Sequence, residues 1–197
     1  MNFLAHIYLS GTNDFVKIGN FMADGIHGKN FDEFHPDIQK GIRLHREIDS
    51  FTDFHPIFRK SKHRLHEKYG HYSGVIMDIF YDHFLAKNFS DYCDIPLEIF
   101  AQDFYQLLNE NYDLLTEKIK MMLPYLIGDN WLVEYASKDG IAHVLYNMDR
   151  RTKFKSKMQF SVDELNLFYE DFENEFKMFF MEMIDFVKSK MKMLDEN

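Results

Sequence analysis

Between residues 163 and 194 the apolar side chains recur at spacings of three and four residues. This period places them on one face of an α-helix, so the segment is predicted to form one long amphipathic helix with an acidic outer face. Only 9 Gly and 4 Pro occur in 197 residues, which leaves few residues to interrupt other helices. Strand patterns are weak throughout. We therefore predict an all-α fold, a helical bundle in which residues 1–197 form a single domain with a long acidic C-terminal helix.

The net charge, the cysteine count and the lengths of the apolar runs exclude several classes of protein. A net charge of -9 argues against a nucleic-acid partner, because phosphate backbones are bound by clustered Lys and Arg. The lone Cys93 excludes an intrachain disulfide and fits a reducing compartment. No run approaches the roughly 18 apolar residues of a membrane span, and the N-terminus lacks the basic region of a signal peptide. These features predict a cytoplasmic protein with no membrane contact.

A predicted helix over residues 75–89 is apolar nearly all round but contains Asp78, Asp82 and His83. A buried carboxylate is costly unless it is paired, hydrogen-bonded, neutralised or bound to a metal. These three residues are therefore candidate metal ligands. The alternative is that one Asp pairs with Arg43 or Arg46 and that His83 is a hydrogen-bonded core histidine.

Further candidate ligands lie earlier in the chain. His45 and Asp49 are four residues apart on a predicted helix, so both side chains project from one face. His6 and Asp24 add another imidazole and carboxylate, although N-terminal packing and a turn role would also account for them. A mixture of imidazole and carboxylate suits Mn²⁺, Fe²⁺ or Zn²⁺, and we expect Mn²⁺.

Basic residues cluster at 59–64 and 150–157. Such runs are usually solvated surface, but either could bind a phosphate or an acidic protein surface. Arg150 and Arg151 are the better candidates for a phosphate-binding role, since a guanidinium can hold phosphate oxygens with two parallel hydrogen bonds.

Taken together, these segments resemble the acyl carrier protein phosphodiesterase family. The resemblance lies in MNFLAH at 1–6, GNFMAD at 19–24, GIRLHREID at 41–49, Thr52-Asp53 and DIFYDHFL at 78–85. It is good through about residue 89, continues thinly through residues 131–132 and 148–151, and fades to a shared helical pattern in the acidic tail.

The resemblance implies a helical fold distantly similar to HD-type phosphohydrolases and a Mn²⁺-type cofactor. It implies hydrolysis of the phosphodiester that joins phosphopantetheine to a serine of holo acyl carrier protein, with apo carrier protein and 4'-phosphopantetheine as products. Asp24 is the position expected to be essential. The metal ligands and proton-transfer groups are expected among His6, Asp24, His45, Asp49, Asp78, Asp82 and His83.

The reaction also suggests roles for particular side chains. The departing serine oxygen is a strong base, so a general acid such as His45 or His83 is expected. Arg46 or Arg150 could stabilise the phosphoryl group. Because carrier proteins are acidic, residues 150–157 are the candidate docking surface.

Two other functions remain open from the sequence. One is an HD-like phosphohydrolase that acts on a nucleotide or another small phosphoester. The other is a noncatalytic helical protein that binds carrier proteins, although such a protein would not need charges inside an apolar helix.

Overall fold

A computed structural model describes residues 1–28 and 31–195 of the chain. All regular secondary structure in these residues is helical, which confirms the all-α prediction. None of their helices is long and apolar enough to cross a membrane. The α-helices are α1 (Phe3–Leu9), α2 (Asp14–Met22), α3 (Pro36–Phe54), α4 (Pro56–Tyr69), α5 (Ser73–Lys87), α6 (Leu97–Glu110), α7 (Glu117–Gly128), α8 (Trp131–Glu134), α9 (Lys138–Arg151), α10 (Val162–Leu167) and α11 (Tyr169–Asp195). Short 3₁₀ turns lie at Ala23–Gly25, Gly70–Tyr72, Phe89–Asp91, Tyr112–Leu114 and Met158–Ser161.

The C-terminal segment differs from its prediction, because it forms two helices rather than one. The backbone leaves the helical region at Phe168, with φ -112° and ψ 26°, and this separates α10 from α11. Apolar spacing continues across the break, so periodicity alone could not reveal it. The predicted apolar face is present on α11 and packs against α3, α4 and α5. Its fully buried side chains are Phe172, Phe176, Phe179, Phe180 and Met183.

The central helix of the core is α5, which is buried on nearly every side. It contacts α1, α4, α9 and α11. A helix enclosed in this way offers little water to its polar side chains, so Asp78, Asp82 and His83 must find partners within the protein. The groups that pair with these three side chains lie on different sides of α5.

Helices α2 and α3 meet backbone to backbone at two glycines. A Cβ at Gly19 would lie 2.1 Å from the carbonyl oxygen of Ile38, and a Cβ at Gly41 would lie 2.2 Å from that of Val16. Any side chain at either position would force the two helices apart. Their close approach brings Asn20 of α2 against His45 of α3.

The short helix α1 is stabilised at its N-terminus by a side chain from α5. The carboxylate of Asp82 accepts hydrogen bonds from the backbone N–H groups of Leu4, at 2.8 Å, and Ala5, at 3.3 Å. An acidic group at this end satisfies free N–H donors and interacts favourably with the helix dipole. This cap fixes α1 on α5 and thereby positions His6, which lies on α1.

Candidate metal centre

Four predicted ligands converge where α1, α2 and α3 meet. Nε2 of His6 lies 3.2 Å from Oδ1 of Asp49, and Nε2 of His45 lies 3.0 Å from Oδ2 of the same carboxylate. Oδ1 of Asp24, from the 3₁₀ turn that follows α2, lies 3.2 Å from Nε2 of His45. The potential ligand atoms of His6, His45 and Asp49 all lie within 4.8 Å of one another.

Asn20, which was not among the predicted site residues, orients both imidazole rings. Its Nδ2 donates to the carbonyl oxygen of His6 and to Oγ of Ser10, each at 2.9 Å. These two bonds fix the amide so that Oδ1 faces Nδ1 of His6 at 2.8 Å and Nδ1 of His45 at 3.2 Å. The backbone oxygen of Asn20 also lies 2.9 Å from Nδ1 of His45. Each Nδ1 therefore carries a proton and donates it to Asn20.

This arrangement leaves Nε2 of His6 facing other electron-pair donors. Burial lowers the pKa of His6, so the ring is neutral at pH 7 and its single proton is on Nδ1. Its unprotonated Nε2 then lies 3.2 Å from both the carbonyl oxygen of Met1 and Oδ1 of Asp49. Three lone pairs that converge without a proton between them fit a bound cation.

The charge state of His45 is set by the adjacent carboxylates. Burial lowers its pKa, but hydrogen bonds to Asp24 and Asp49 outweigh that effect and raise the pKa to about 9. The hydrogen bond to His45 in turn lowers the pKa of Asp24. Burial raises the pKa of Asp49, but the hydrogen bond from His45 and the positive charge of the Met1 α-amino group outweigh it and lower that pKa. Both carboxylates are therefore ionised near neutral pH, whereas Nε2 of His45 carries a proton that a cation bound there would displace.

Asp78 lies near this cluster but is occupied by the α-amino group of Met1, which is 2.9 Å from its Oδ1. Burial raises the pKa of Asp78, against the opposing effect of that amino group. The expected alternative partners, Arg43 and Arg46, lie instead over the ring of Phe31. Asp78 lines the same cavity as Asp49.

The structure does not bring Asp82 and His83 to the cluster. Both oxygens of Asp82 accept the backbone hydrogen bonds that cap α1, and burial raises its pKa to about 7. Nδ1 of His83 lies 2.7 Å from the carbonyl oxygen of Tyr135, and Nε2 lies 2.8 Å from the hydroxyl of Tyr169. The two side chains leave α5 in different directions, Asp82 toward α1 and His83 toward Tyr135 and Tyr169. His83 is a hydrogen-bonded core histidine.

Arg46, expected to stabilise a phosphoryl group, lies on a different part of the surface. Its Nη2 donates to the carbonyl oxygen of Gly28 at 2.7 Å and to that of Ile26 at 3.4 Å. Its guanidinium also lies 5.1 Å from the ring centre of Phe31. Arg46 therefore holds the chain between α2 and α3 rather than lining the cavity.

The cluster opens into a cavity of about 440 Å³. Asp24, Asp49, Asp53 and Asp78 lie on its lining, so one side of it is acidic. Of the two arginines expected to bind phosphate, Arg151 lines this cavity, whereas Arg150 is exposed and is not part of the lining.

Two of the other cavity residues, Lys118 and Trp131, were not among the predicted site residues. Lys118, at the start of α7, lines the cavity and contributes a positively charged side chain. Trp131, at the start of α8, lies beside it in the lining. Isolated residues of these types carry no positional pattern, so only the fold could identify them.

The first basic cluster, residues 59–64, has a structural partner. Nη1 and Nη2 of Arg64 donate to the carboxylate of Glu175 at 2.7 and 2.8 Å, and Lys60 lies 2.9 Å from the same group. This surface of α4 therefore anchors α11. Residues 150–157 end α9 and form the following turn, where the side chains of Lys153 and Lys155 are exposed.

Comparison with known proteins agrees with the pattern of motifs. The family model described as acyl carrier protein phosphodiesterase matches residues 1–183. The chain belongs to the acyl carrier protein phosphodiesterase family. A relative of that name from Photorhabdus laumondii is 31% identical, over 96% of each chain. Another, from Pectobacterium atrosepticum, is 30% identical over 96% of this chain and 99% of its own.

A third acyl carrier protein phosphodiesterase, from Escherichia coli, is 29% identical over 94% of this chain and 96% of its own length. Membership of the acyl carrier protein phosphodiesterase family confirms the resemblance, and the family name denotes a phosphodiester hydrolase. No solved structure matches the chain. The expected similarity to HD-type phosphohydrolases therefore stays a prediction.

Proposed function

We propose that this protein hydrolyses the phosphodiester that joins 4'-phosphopantetheine to a serine of holo acyl carrier protein. The bond between phosphorus and the serine oxygen breaks, and water supplies the atoms that complete apo carrier protein and 4'-phosphopantetheine. The observation that carries the proposal is the convergence of His6, His45 and Asp49 beside a cavity, in a chain of this family.

The proposal includes a divalent cation held by His6, His45 and Asp49, with Asp24 completing the set. Two imidazole nitrogens and two carboxylates suit Mn²⁺, which is the ion we propose, and also Fe²⁺ or Zn²⁺. Such an ion supplies Lewis-acid stabilisation of charge on the phosphoryl oxygens and lowers the pKa of water. Asn20 keeps both Nε2 atoms directed toward the ion site.

The charge of the cavity supports a cation-dependent reaction. Four aspartates line it, and a phosphodiester is itself an anion. The repulsion between these aspartates and the substrate would be offset by a bound cation, in addition to the charges of Lys118 and Arg151. His83 has no place in this proposal, because both of its ring nitrogens are already hydrogen-bonded in the core.

We propose that the turn after α9 docks the acidic carrier protein. The buried side chain of Asp149 accepts hydrogen bonds from Ser156 at 2.6 Å and Thr152 at 3.3 Å, which holds this turn in place. The turn exposes Lys153 and Lys155 beside the cavity residue Arg151. Positive charge at the entrance would steer an acidic protein toward the site.

We also propose a cytoplasmic location. The chain has a single cysteine, Cys93, which is free in the structure. A free thiol is maintained most readily in a reducing compartment.

The decisive experiment incubates the purified protein with holo acyl carrier protein and Mn²⁺ and follows the mass of the carrier. We expect the phosphopantetheine mass to be lost only when metal is present, and not with a chelator. His45→Gln should abolish the loss, whereas His63→Gln, an exposed histidine of α4, should leave it unchanged.

The same assay separates the competing functions. If the carrier mass stayed unchanged while a nucleotide was hydrolysed in the presence of metal, an enzyme that hydrolyses small phosphoesters would be favoured. Carrier binding without turnover or metal uptake would favour a noncatalytic binding protein. Either result contradicts the proposed reaction.

A further inference from the structure

The cavity has a second side whose chemistry differs from that of the metal centre. It is formed by α7, α8 and α9 and combines apolar and aromatic surface with two cations. We call this side the amphipathic wall. Its residues include Lys118, Met122, Trp131, Val144, Met148 and Arg151. Glu134 of α8 also lines the cavity, and its carboxylate lies 3.0 Å from Nδ1 of His143.

The two cations of the amphipathic wall come from separate helices. The guanidinium of Arg151 lies 5.7 Å from the ring centre of Trp131, so its charge rests over an aromatic face. The stem of Lys118 lies close to Gly25, since a Cβ placed on that glycine would be 3.4 Å from its Cδ. Gly25 follows Asp24, so Lys118 lies at the edge of the metal centre.

The rest of the amphipathic wall offers partly buried apolar surface. Trp131, Val144 and Met148 are half-buried, pack against the core and also line the cavity. Small-molecule sites typically combine such apolar lining with a few polar or charged groups, in cavities of roughly 300–1,000 Å³. The volume of about 440 Å³ falls in this range.

We infer that the amphipathic wall is the binding subsite for the phosphopantetheine arm. Lys118 and Arg151 bind its phosphate, and Trp131, Val144 and Met148 contact the pantetheine chain. The phosphate then lies between these cations and the metal centre. This inference rests on the proposed function, since it names where that substrate's arm is held.

The chain contains a single tryptophan, Trp131, so its fluorescence reports on the amphipathic wall alone. The experiment titrates the full-length protein with 4'-phosphopantetheine in Mg²⁺ and records tryptophan emission and binding heat in parallel. We expect a saturable change in emission with the same dissociation constant as the heat. Inorganic phosphate and pantetheine, which each carry part of the ligand, should bind about tenfold more weakly or worse.

Matched variants test the two cations. Lys118→Met and Arg151→Met should each weaken binding of 4'-phosphopantetheine about tenfold, because a charge-assisted contact to phosphate is lost. Lys120→Met and Arg150→Met remove neighbouring cations that do not line the cavity, and should bind as the unmodified protein does. All four positions are at least partly exposed, so folding should be retained, which circular dichroism would verify.

The outcomes distinguish this inference from the proposed reaction. Absence of binding, binding without a change in Trp131 emission, or equal affinity in the Lys118 and Arg151 variants would overturn the subsite. If holo carrier protein were still hydrolysed in those cases, the proposed function would stand alone. Saturable binding without turnover would retain the subsite and reject hydrolysis.

Discussion

The imidazole rings of His6 and His45 stack with their centroids 4.1 Å apart and their planes at 20°. One amide, that of Asn20, faces Nδ1 of both rings. Two histidines that are distant in the sequence are thus held in one orientation by a third residue, with both Nε2 atoms turned toward Asp49.

Replacing Asn20 with alanine should therefore impair metal binding. The variant loses the acceptor that fixes both rings, and loss of such an outer contact typically costs about 10–100-fold in metal affinity. Calorimetric titration with Mn²⁺ would measure this loss. Asn174→Ala, at an exposed position on α11, is the control and should bind normally. An unchanged Mn²⁺ affinity for Asn20→Ala would show that Asn20 does not orient the ligands.

Replacing Gly41 with alanine should disturb both stability and the site. Its new Cβ would lie 2.2 Å from the carbonyl oxygen of Val16, so α2 and α3 must separate. We expect the free energy of unfolding to fall by about 2 kcal/mol or more, measured by urea denaturation. Gly74→Ala is the control, since its Cβ would meet only the side chain of Lys62, at 3.8 Å. That helical substitution should be neutral or stabilising by up to about 1 kcal/mol. Equal stabilities would contradict the close helix contact.

The carboxylate of Glu175 should make stability depend on pH. Burial raises its pKa, but hydrogen bonds from Arg64 and Ser61 outweigh that effect, so its pKa in the folded state lies below the ordinary value of 4.5. The stabilisation by Glu175 is fully present above pH 4.5. It is lost as the pH falls through the lower folded-state pKa, because the carboxylate of the native protein then takes up a proton.

The variant Glu175→Gln should lose roughly 3 kcal/mol of unfolding free energy at pH 7, because it leaves Arg64 without its buried partner. The difference from the unmodified protein should shrink below pH 4.5. Urea denaturation at a series of pH values would measure it, with the exposed Glu170→Gln as control. A difference independent of pH would mean that the carboxylate charge is unimportant.

The docking surface should respond to charge reversal. The double variant Lys153→Glu, Lys155→Glu should bind holo acyl carrier protein more weakly, and its binding should depend less on salt. Surface plasmon resonance at several ionic strengths would test both effects. Lys188→Glu, an exposed substitution on α11, is the control. Identical salt dependence in all three proteins would place the carrier elsewhere.

Much of the candidate site could be predicted from local sequence. The i, i+4 spacing of His45 and Asp49 was enough to predict that both project from one helix face, and the structure has them 3.0 Å apart. The apolar context of Asp82 correctly indicated a buried carboxylate that needs a partner. The identity of that partner could not be predicted, since the N–H groups of Leu4 and Ala5 are donors that every residue but proline carries.

The sequence by itself determined the helical class, the family and the pool of polar residues from which the site is built. These properties follow from periodicity and residue type, which act locally along the chain. Tertiary structure alone decided that His83 turns into the core while His6 joins His45, and that Lys118 and Trp131 line the cavity into which the candidate metal centre opens. Such choices depend on how close two helices approach and in which direction each side chain leaves its helix, and packing between distant segments sets both.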